Sequence, residues 1–291
     1  MVGPPGSVYM QAMRILTTMI FSCALLGACS DDAAPAGGGG EGAGSARPLA
    51  EDRGRPSGPP ERVTFATDDG VTIVGTLRPG GDARAPAVVL VHQLGSARAE
   101  WEPIVEALSR PPGLTTLAID MRGHGESTAG SAGALAHGEF DRQAWMDTRK
   151  DVLAAVAFLG NREDLHPRRI GAAGSSIGSS AVLAAAAEER RIAAVVAISP
   201  GRAYHGFDAI TPVSRLRDRP LLAIAAEEEL PAAEAARDVA RIAGHGEIQL
   251  YPGSAHGLAI REGSPEITER IDGFLRQALG ADTVGPRSSE P

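Results

Sequence analysis

From residue 87 to residue 279 the chain alternates short apolar runs with longer stretches of helical pattern, and this alternation decides the fold class. The runs are Ala87–Val91, Thr115–Asp120, Arg169–Ala173, Ala194–Ile198, Leu221–Ala225 and Glu247–Tyr251. Between and after them come the helical patterns Ala97–Ser109, Arg142–Leu159, Ser179–Glu189, Ala232–Ile242 and Pro265–Leu279. Continuous apolar runs with no polar alternation belong to strands buried on both faces, which means parallel strands covered by helices. Upstream, the β-branched runs Val63–Ala66 and Val71–Leu77 flank Asp69-Gly70, a hairpin signal. The prediction is an α/β protein with an eight-stranded, mostly parallel sheet and helices on both faces. Ligands in such sheets bind beyond the carboxyl ends of the strands, so the residues just after each run carry the most information.

Composition narrows the function. A net charge of −8 argues against phosphate-backbone binding, so no nucleic-acid partner is expected. Two cysteines build neither a disulfide scaffold nor a four-thiolate zinc site. Lys150 is the single lysine, which leaves Schiff-base chemistry one position. Aromatic residues make up 4% of the chain, too few for a carbohydrate-stacking platform.

Both cysteines, Cys23 and Cys29, lie in the N-terminal region. Ile15–Ala28 is apolar and uncharged and follows Arg14, but it is shorter than the roughly 20 residues a spanning helix needs. It ends in Leu26-Gly27-Ala28-Cys29, which resembles the lipobox of bacterial lipoproteins. That resemblance implies a signal peptide over residues 1–28 and a lipid on Cys29, with Ser30 directing the product to the outer membrane. Residues 30–60 hold eight glycines and five prolines without apolar periodicity, so residues 29–60 read as a lipidated, flexible tether. The domain is expected over 61–280 and a disordered tail over 281–291.

The chemistry begins at Gly174-Ser175-Ser176-Ile177-Gly178, which fits G-x-S-x-G between a strand and a helix. The turn is sharp, and a β-carbon at 174 or 178 would strike a neighbouring element. Ser176 is the candidate nucleophile; Ser175 would be flanked by Ala173 and Ile177 and does not fit the pattern. Taken alone the motif is weak, because a serine capping a glycine-rich turn looks the same. After the first parallel run comes His92-Gln93-Leu94-Gly95-Ser96, where an oxyanion donor is needed. By position the Leu94 N–H is favoured, with Gln93 second, and the Ile177 N–H completes the pair. His256, in a short loop past the last run, is the candidate base. His92 is expected to organise the oxyanion loop and His124 to brace a turn, while His137, His166, His205 and His245 read as surface or loop positions. The acid falls among Glu227, Glu228 and Glu229, with Glu229 chosen at about four residues past the strand, and Asp208 an alternative.

With these pieces in order, the chain resembles the α/β-hydrolase superfamily from about Glu61 to Leu279. VLVHQLGS, AIDMRGHGES, GAAGSSIGSS, PLLAIAAEEE and YPGSAHG carry the likeness. More narrowly it is similar to the dienelactone-hydrolase-like and prolyl-peptidase-like group, in the form of a secreted bacterial lipoprotein. The resemblance implies a triad of Ser176, Glu229 and His256 with Leu94 and Ile177 as oxyanion donors. It departs from the family at Gln93, where a glycine is usual, and in using Glu for the usual Asp. The predicted domain holds no cysteine, so dienelactone hydrolysis by a cysteine nucleophile is not expected. The implied reaction is hydrolysis of a small or medium carboxylic ester, with no metal or organic cofactor and with membrane attachment through the lipid. A peptidase and a non-catalytic binding scaffold are the competing readings. Only Pro200–Pro220 separates the fourth and fifth parallel runs, too short for a helical cap domain, so the site is expected to be open.

Overall fold

The structure, a computed structural model, describes residues 58–281 apart from 81–83, 112 and 217. The expected signal peptide, Cys29 and most of the tether lie outside the described residues, as does the tail beyond Ala281.

The strands are β1 (Glu61–Ala66), β2 (Thr72–Arg78), β3 (Ala85–Val91), β4 (Thr115–Ile119), β5 (Leu165–Ser175), β6 (Ile192–Ile198), β7 (Leu221–Ala226) and β8 (Gly246–Tyr251). They are ordered β8-β7-β6-β5-β3-β4-β2-β1 across one sheet. Strands β4, β3, β5, β6, β7 and β8 pair in parallel, while β2 runs antiparallel to both β4 and β1. Two short strands, Ala129–Gly130 and Gly133–Ala134, extend the sheet beside Thr72, which makes it ten-stranded; nothing in their sequence marks them. The β1–β2 turn closes as the Asp69-Gly70 signal predicts, with the Thr67 N–H on Val71 O at 2.9 Å and Gly70 at φ 79°.

Five longer helices cover the sheet: α1 (Glu102–Leu108), α2 (Thr148–Gly160), α3 (Ile177–Glu188), α4 (Leu230–Ile242) and α5 (Ile267–Leu279). Alternate residues of β3 feed the two layers. Ala87, Val89 and Val91 belong to the core layer that includes α2, α3 and α4, whereas Val88 and Leu90 belong to the layer that includes α1 and α5. In α5 the buried set Ile267, Ile271, Phe274, Leu275 and Leu279 repeats at helical spacing, so one stripe faces the sheet. The pattern Arg142–Leu159 is broken in the structure into Arg142–Met146 and α2, with Asp147 at the junction. The start of the pattern Ala97–Ser109 is a single 3-10 turn, Arg98–Trp101, because Pro103 suits the first turn of a helix and not its interior. Between β6 and β7 there is only a hairpin, Ala203–Tyr204 with Phe207–Asp208, and the five-residue helix Ile210–Ser214.

Ionic contacts hold the segment after β4. Asp120, fully buried, accepts the Arg98 N–H at 2.7 Å and the Glu126 N–H at 2.9 Å and pairs with the Arg98 guanidinium. Arg122 is clamped between buried Asp151 at 2.8 Å and Asp69 at 2.8 Å. Removing one partner of such a buried pair strands a charge, so losing either side is costly to the fold.

At Gly178 an added β-carbon would lie 2.5 Å from the main-chain oxygens of both Val91 and His92. Gly178→Ala is expected to lower stability by about 1–3 kcal/mol, measured as a lower urea midpoint. Gly273→Ala in α5, where nothing lies within 4 Å of the added carbon, is expected to raise the midpoint by helix propensity.

Candidate active site

Ser176 stands between β5 and α3 with φ 53° and ψ −116°, a conformation that side-chain-bearing residues rarely hold. Neighbours fix it on both sides. Its N–H donates to Ile198 O at 2.8 Å, and its carbonyl accepts the Ser179 hydroxyl at 2.6 Å. The turn leaves Ser176 half-buried, while Ser175 beside it is fully buried at the end of the strand. Among the described residues the Ser176 hydroxyl holds no hydrogen bond, and neither do the N–H groups of Ile177 and Leu94. The Gln93 N–H, by contrast, is taken by Glu100 Oε2 at 3.1 Å. Of the two residues weighed for this loop, Leu94 is therefore the one with a free N–H. Ile177 opens α3, so its N–H also carries the positive end of the helix dipole.

The loop that bears Leu94 is braced by His92. The Met121 N–H donates to His92 Nε2 at 3.0 Å, so Nδ1 carries the ring proton and donates to Gln93 O at 2.7 Å. Burial lowers the pKa of this imidazole and keeps it neutral.

On the other side of Ser176, the ends of β6, β7 and β8 are laced together. The Ser199 N–H donates to Ile224 O at 2.7 Å, Glu227 N–H to Tyr251 O at 2.8 Å, and Glu228 N–H to Gly253 O at 2.9 Å. The Glu227 and Glu228 side chains remain exposed. Glu229, directed inward, accepts a hydrogen bond from His256 Nδ1 through Oε1 and one from the Ser199 hydroxyl through Oε2, the latter at 2.9 Å. A carboxylate only accepts, so His256 Nδ1 carries the proton and Nε2 is left as a base. Ser199 in turn accepts the Gly257 N–H at 2.9 Å and thereby ties the glutamate to the residue after the histidine. Sequence reasoning passed over Ser199; its signal was its place directly after a parallel strand, where it adopts φ 45°. Asp208, the alternative acid, bonds the Ile210 N–H and the Thr211 hydroxyl within its own turn and takes no part in this cluster. Among the described residues no group of three His, Cys, Asp or Glu is arranged to hold a metal ion.

A family profile described as the alpha/beta hydrolase fold matches residues 86–223. This chain has the alpha/beta hydrolase fold. It is similar to the polyketide transferase ATR5 of Stachybotrys chlorohalonatus, 31% identical over 55% of this chain and 52% of that one. It is also similar to the thiohydrolase aneE of Aspergillus aculeatus, 27% identical over 47% of this chain and 41% of that one. The chain thus spans about half the length of these relatives, or less. Among solved structures it resembles the esterase Pf2001 of Pyrococcus furiosus, at 21% identity and a TM-score of 0.61, covering 76% of this chain and 93% of that one.

In this hydrolase fold the segment after β4 gathers histidines that the sequence left scattered. His124 stacks on His137 at 4.0 Å between ring centroids and meets the edge of His92 at 4.9 Å. Trp145 lies against His124 and, at 4.6 Å, against His205 on the hairpin after β6. His137 and His205 sit in surface turns, as the sequence reads them, and are in addition members of a ring stack. The aromatic neighbours that hold them are distant in sequence, which is why spacing did not show it.

The stack has a consequence for pH. The His124 Nδ1–H donates to Arg122 O at 3.0 Å, while Nε2 is buried without a partner, and burial pushes the pKa down from 6.5 to about 4. As pH falls below 6.5 the unfolded chain takes up this proton first, so stability declines from pH 6.5 towards 4 and is unaffected by this group above that window. Between pH 7.5 and 4.5 the expected loss from His124 is about 2–3 kcal/mol, read from denaturant midpoints. His124→Phe, which keeps a ring in the stack and cannot be protonated, is expected to flatten that part of the profile.

Proposed function

We propose that the chain is a serine hydrolase that cleaves small or medium carboxylic esters through Ser176, His256 and Glu229. The observation that carries this reading is the hydrogen bond from His256 Nδ1 to Glu229 at the same sheet edge on which the strained turn raises Ser176. In the proposed reaction His256 Nε2 takes the proton of the Ser176 hydroxyl as its oxygen attacks the ester carbonyl. The N–H groups of Leu94 and Ile177 hold the oxyanion, and the departing alcohol receives the proton from His256. Water, activated by the same base, then releases the acid from Ser176. Glu229 keeps the imidazole in the productive tautomer and stabilises it while it is charged.

The short segment between β6 and β7 supports a small or medium substrate and an open cleft, since it supplies a hairpin and one helical turn in place of a cap. Leu94 and Tyr204, both large apolar side chains that are exposed, offer contact surface for an acyl or alcohol group near this edge. Placement within the dienelactone-hydrolase-like group rests on the HQLG and SAHG segments, while the missing thiol in the domain argues against dienelactone itself as the substrate.

Ser176→Ala is expected to abolish labelling by a fluorophosphonate probe and hydrolysis of p-nitrophenyl esters. Glu229→Ala is expected to lower kcat by at least about 100-fold, with Glu227→Ala and Glu228→Ala close to wild type. A series of esters of rising chain length, with thioester and amide controls, separates esterase from thioesterase and peptidase action. Equal labelling of wild type and Ser176→Ala refutes the triad; a wild type that fails to label favours a non-catalytic scaffold.

We also propose that Cys29 carries a lipid that anchors the protein to a membrane, with the outer membrane facing the periplasm as its location. The Leu26-Gly27-Ala28-Cys29-Ser30 segment supports this. Radiolabelled palmitate is expected in the wild type and not in Cys29→Ser; label retained in the variant refutes the anchor.

A further inference from the structure

Gln93 occupies the position where the resemblance leads one to expect glycine, and its main chain is fixed on every side. The N–H donates to Glu100 Oε2, and the carbonyl accepts from His92 Nδ1 and from the Ser96 N–H. The side chain, however, leaves its own loop. A β-carbon built on Gly257 would fall 2.5 Å from Ser175 Oγ and closer still to Gln93 Oε1. These two oxygens are therefore no more than about 5 Å apart, and both press on the residue that follows His256. Each is buried and lacks a hydrogen-bond partner among the described residues. Gly257, at φ 59°, is the residue type that allows the approach, because any other would put a methylene where the two oxygens sit.

Three segments thus meet at one point: the oxyanion loop through Gln93, the end of β5 through Ser175, and the histidine loop through Gly257. A serine hydroxyl rotates freely and can donate to an amide oxygen, and a buried acceptor is strongly favoured to find a donor. We propose that Gln93 is a positioning residue whose side-chain amide, lodged with the Ser175 hydroxyl against Gly257, locks the loop bearing the Leu94 N–H to the loop bearing His256. The inference rests on the hydrolase reading above and adds to it a reason for the departure at 93. The loop is tied to the base by a side chain, so that oxyanion donor and base keep one register when substrate enters.

The test is a double-mutant cycle on the full-length protein: wild type, Gln93→Ala, Gly257→Ala and the double variant, each measured by p-nitrophenyl ester kinetics and thermal unfolding. Gln93→Ala is expected to lower kcat about tenfold with KM within about twofold, since misplaced groups lose rate and not ground-state binding. Gly257→Ala is expected to cost about 100-fold in kcat in the wild-type background and about tenfold less than that once Ala stands at 93, where the methyl no longer meets the amide oxygen and only the positive φ and the rotatable Ser175 hydroxyl still oppose it. Equal fold-losses for Gly257→Ala in the two backgrounds overturn the proposal. So does coupling that appears in the unfolding temperature and not in kcat, because the contact would then be structural only. Ser176→Ala separates the two failures. If that variant is inert and the cycle is additive, the lock alone fails; if it stays active, the hydrolase reading fails and the lock with it.

Discussion

At Gly178 the backbone of α3 rests directly on the backbone at the end of β3, and at Gly174 the end of β5 meets the carbonyl of Gly178 with no room for a side-chain carbon. These two contacts govern the rest of the site. Because the helix starts flush with the sheet, the residue between strand and helix must turn within one position, and Ser176 takes a positive φ that costs on the order of 1–3 kcal/mol. The cost is met locally by the bonds to Ile198 and Ser179 and by a core that buries the first turns of α3. The same closeness brings the Ile177 N–H and the loop after β3 to one edge. A helix docked on side chains at the usual distance would leave that gap too wide for two backbone donors to share one oxygen.

The second half of the site depends on lateral hydrogen bonds between neighbouring strand ends. Ser199 is the keystone, for its hydroxyl donates to Glu229 and accepts from Gly257. A glutamate is one methylene longer than an aspartate and has more rotamers to lose on being fixed. Holding its second oxygen by Ser199 removes that freedom and leaves the first oxygen aimed at His256.

The sequence made the sheet legible because a parallel strand buried on both faces has no alternative pattern; all eight principal strands lie at the runs read from it, with ends shifted by a few residues. The same holds for Ser176 and its flanking glycines, since G-x-S-x-G encodes a local steric requirement. What could not be read are features made by residues distant in the chain. Distance past the strand singles out Glu229 among the three glutamates, but its hydrogen bond to His256 follows from how β7 and β8 end. His137 and His205 do lie in surface turns, but the ring contacts that join them need Trp145 and the hairpin after β6 in place. The break at Asp147 and the short strands beside Thr72 are tertiary effects on segments whose own propensities are weak.

Electrostatics separates the histidines that this fold brings towards the sheet edge. His92 has its Nε2 filled by the Met121 N–H and its Nδ1–H spent on Gln93, so the ring has no lone pair to offer a substrate. His124 has a free lone pair on Nε2, but that atom is buried in the ring stack and burial holds its pKa near 4, too low for a base that must accept a proton near neutral pH. His256 differs from both, with a side chain half open to solvent and Nδ1 bound to a carboxylate that would stabilise the imidazolium. A general base needs a free lone pair, access to the nucleophile and a partner for the charge it acquires. Of these three rings, His256 combines an exposed site with an acidic partner, while burial favours the neutral form of the other two.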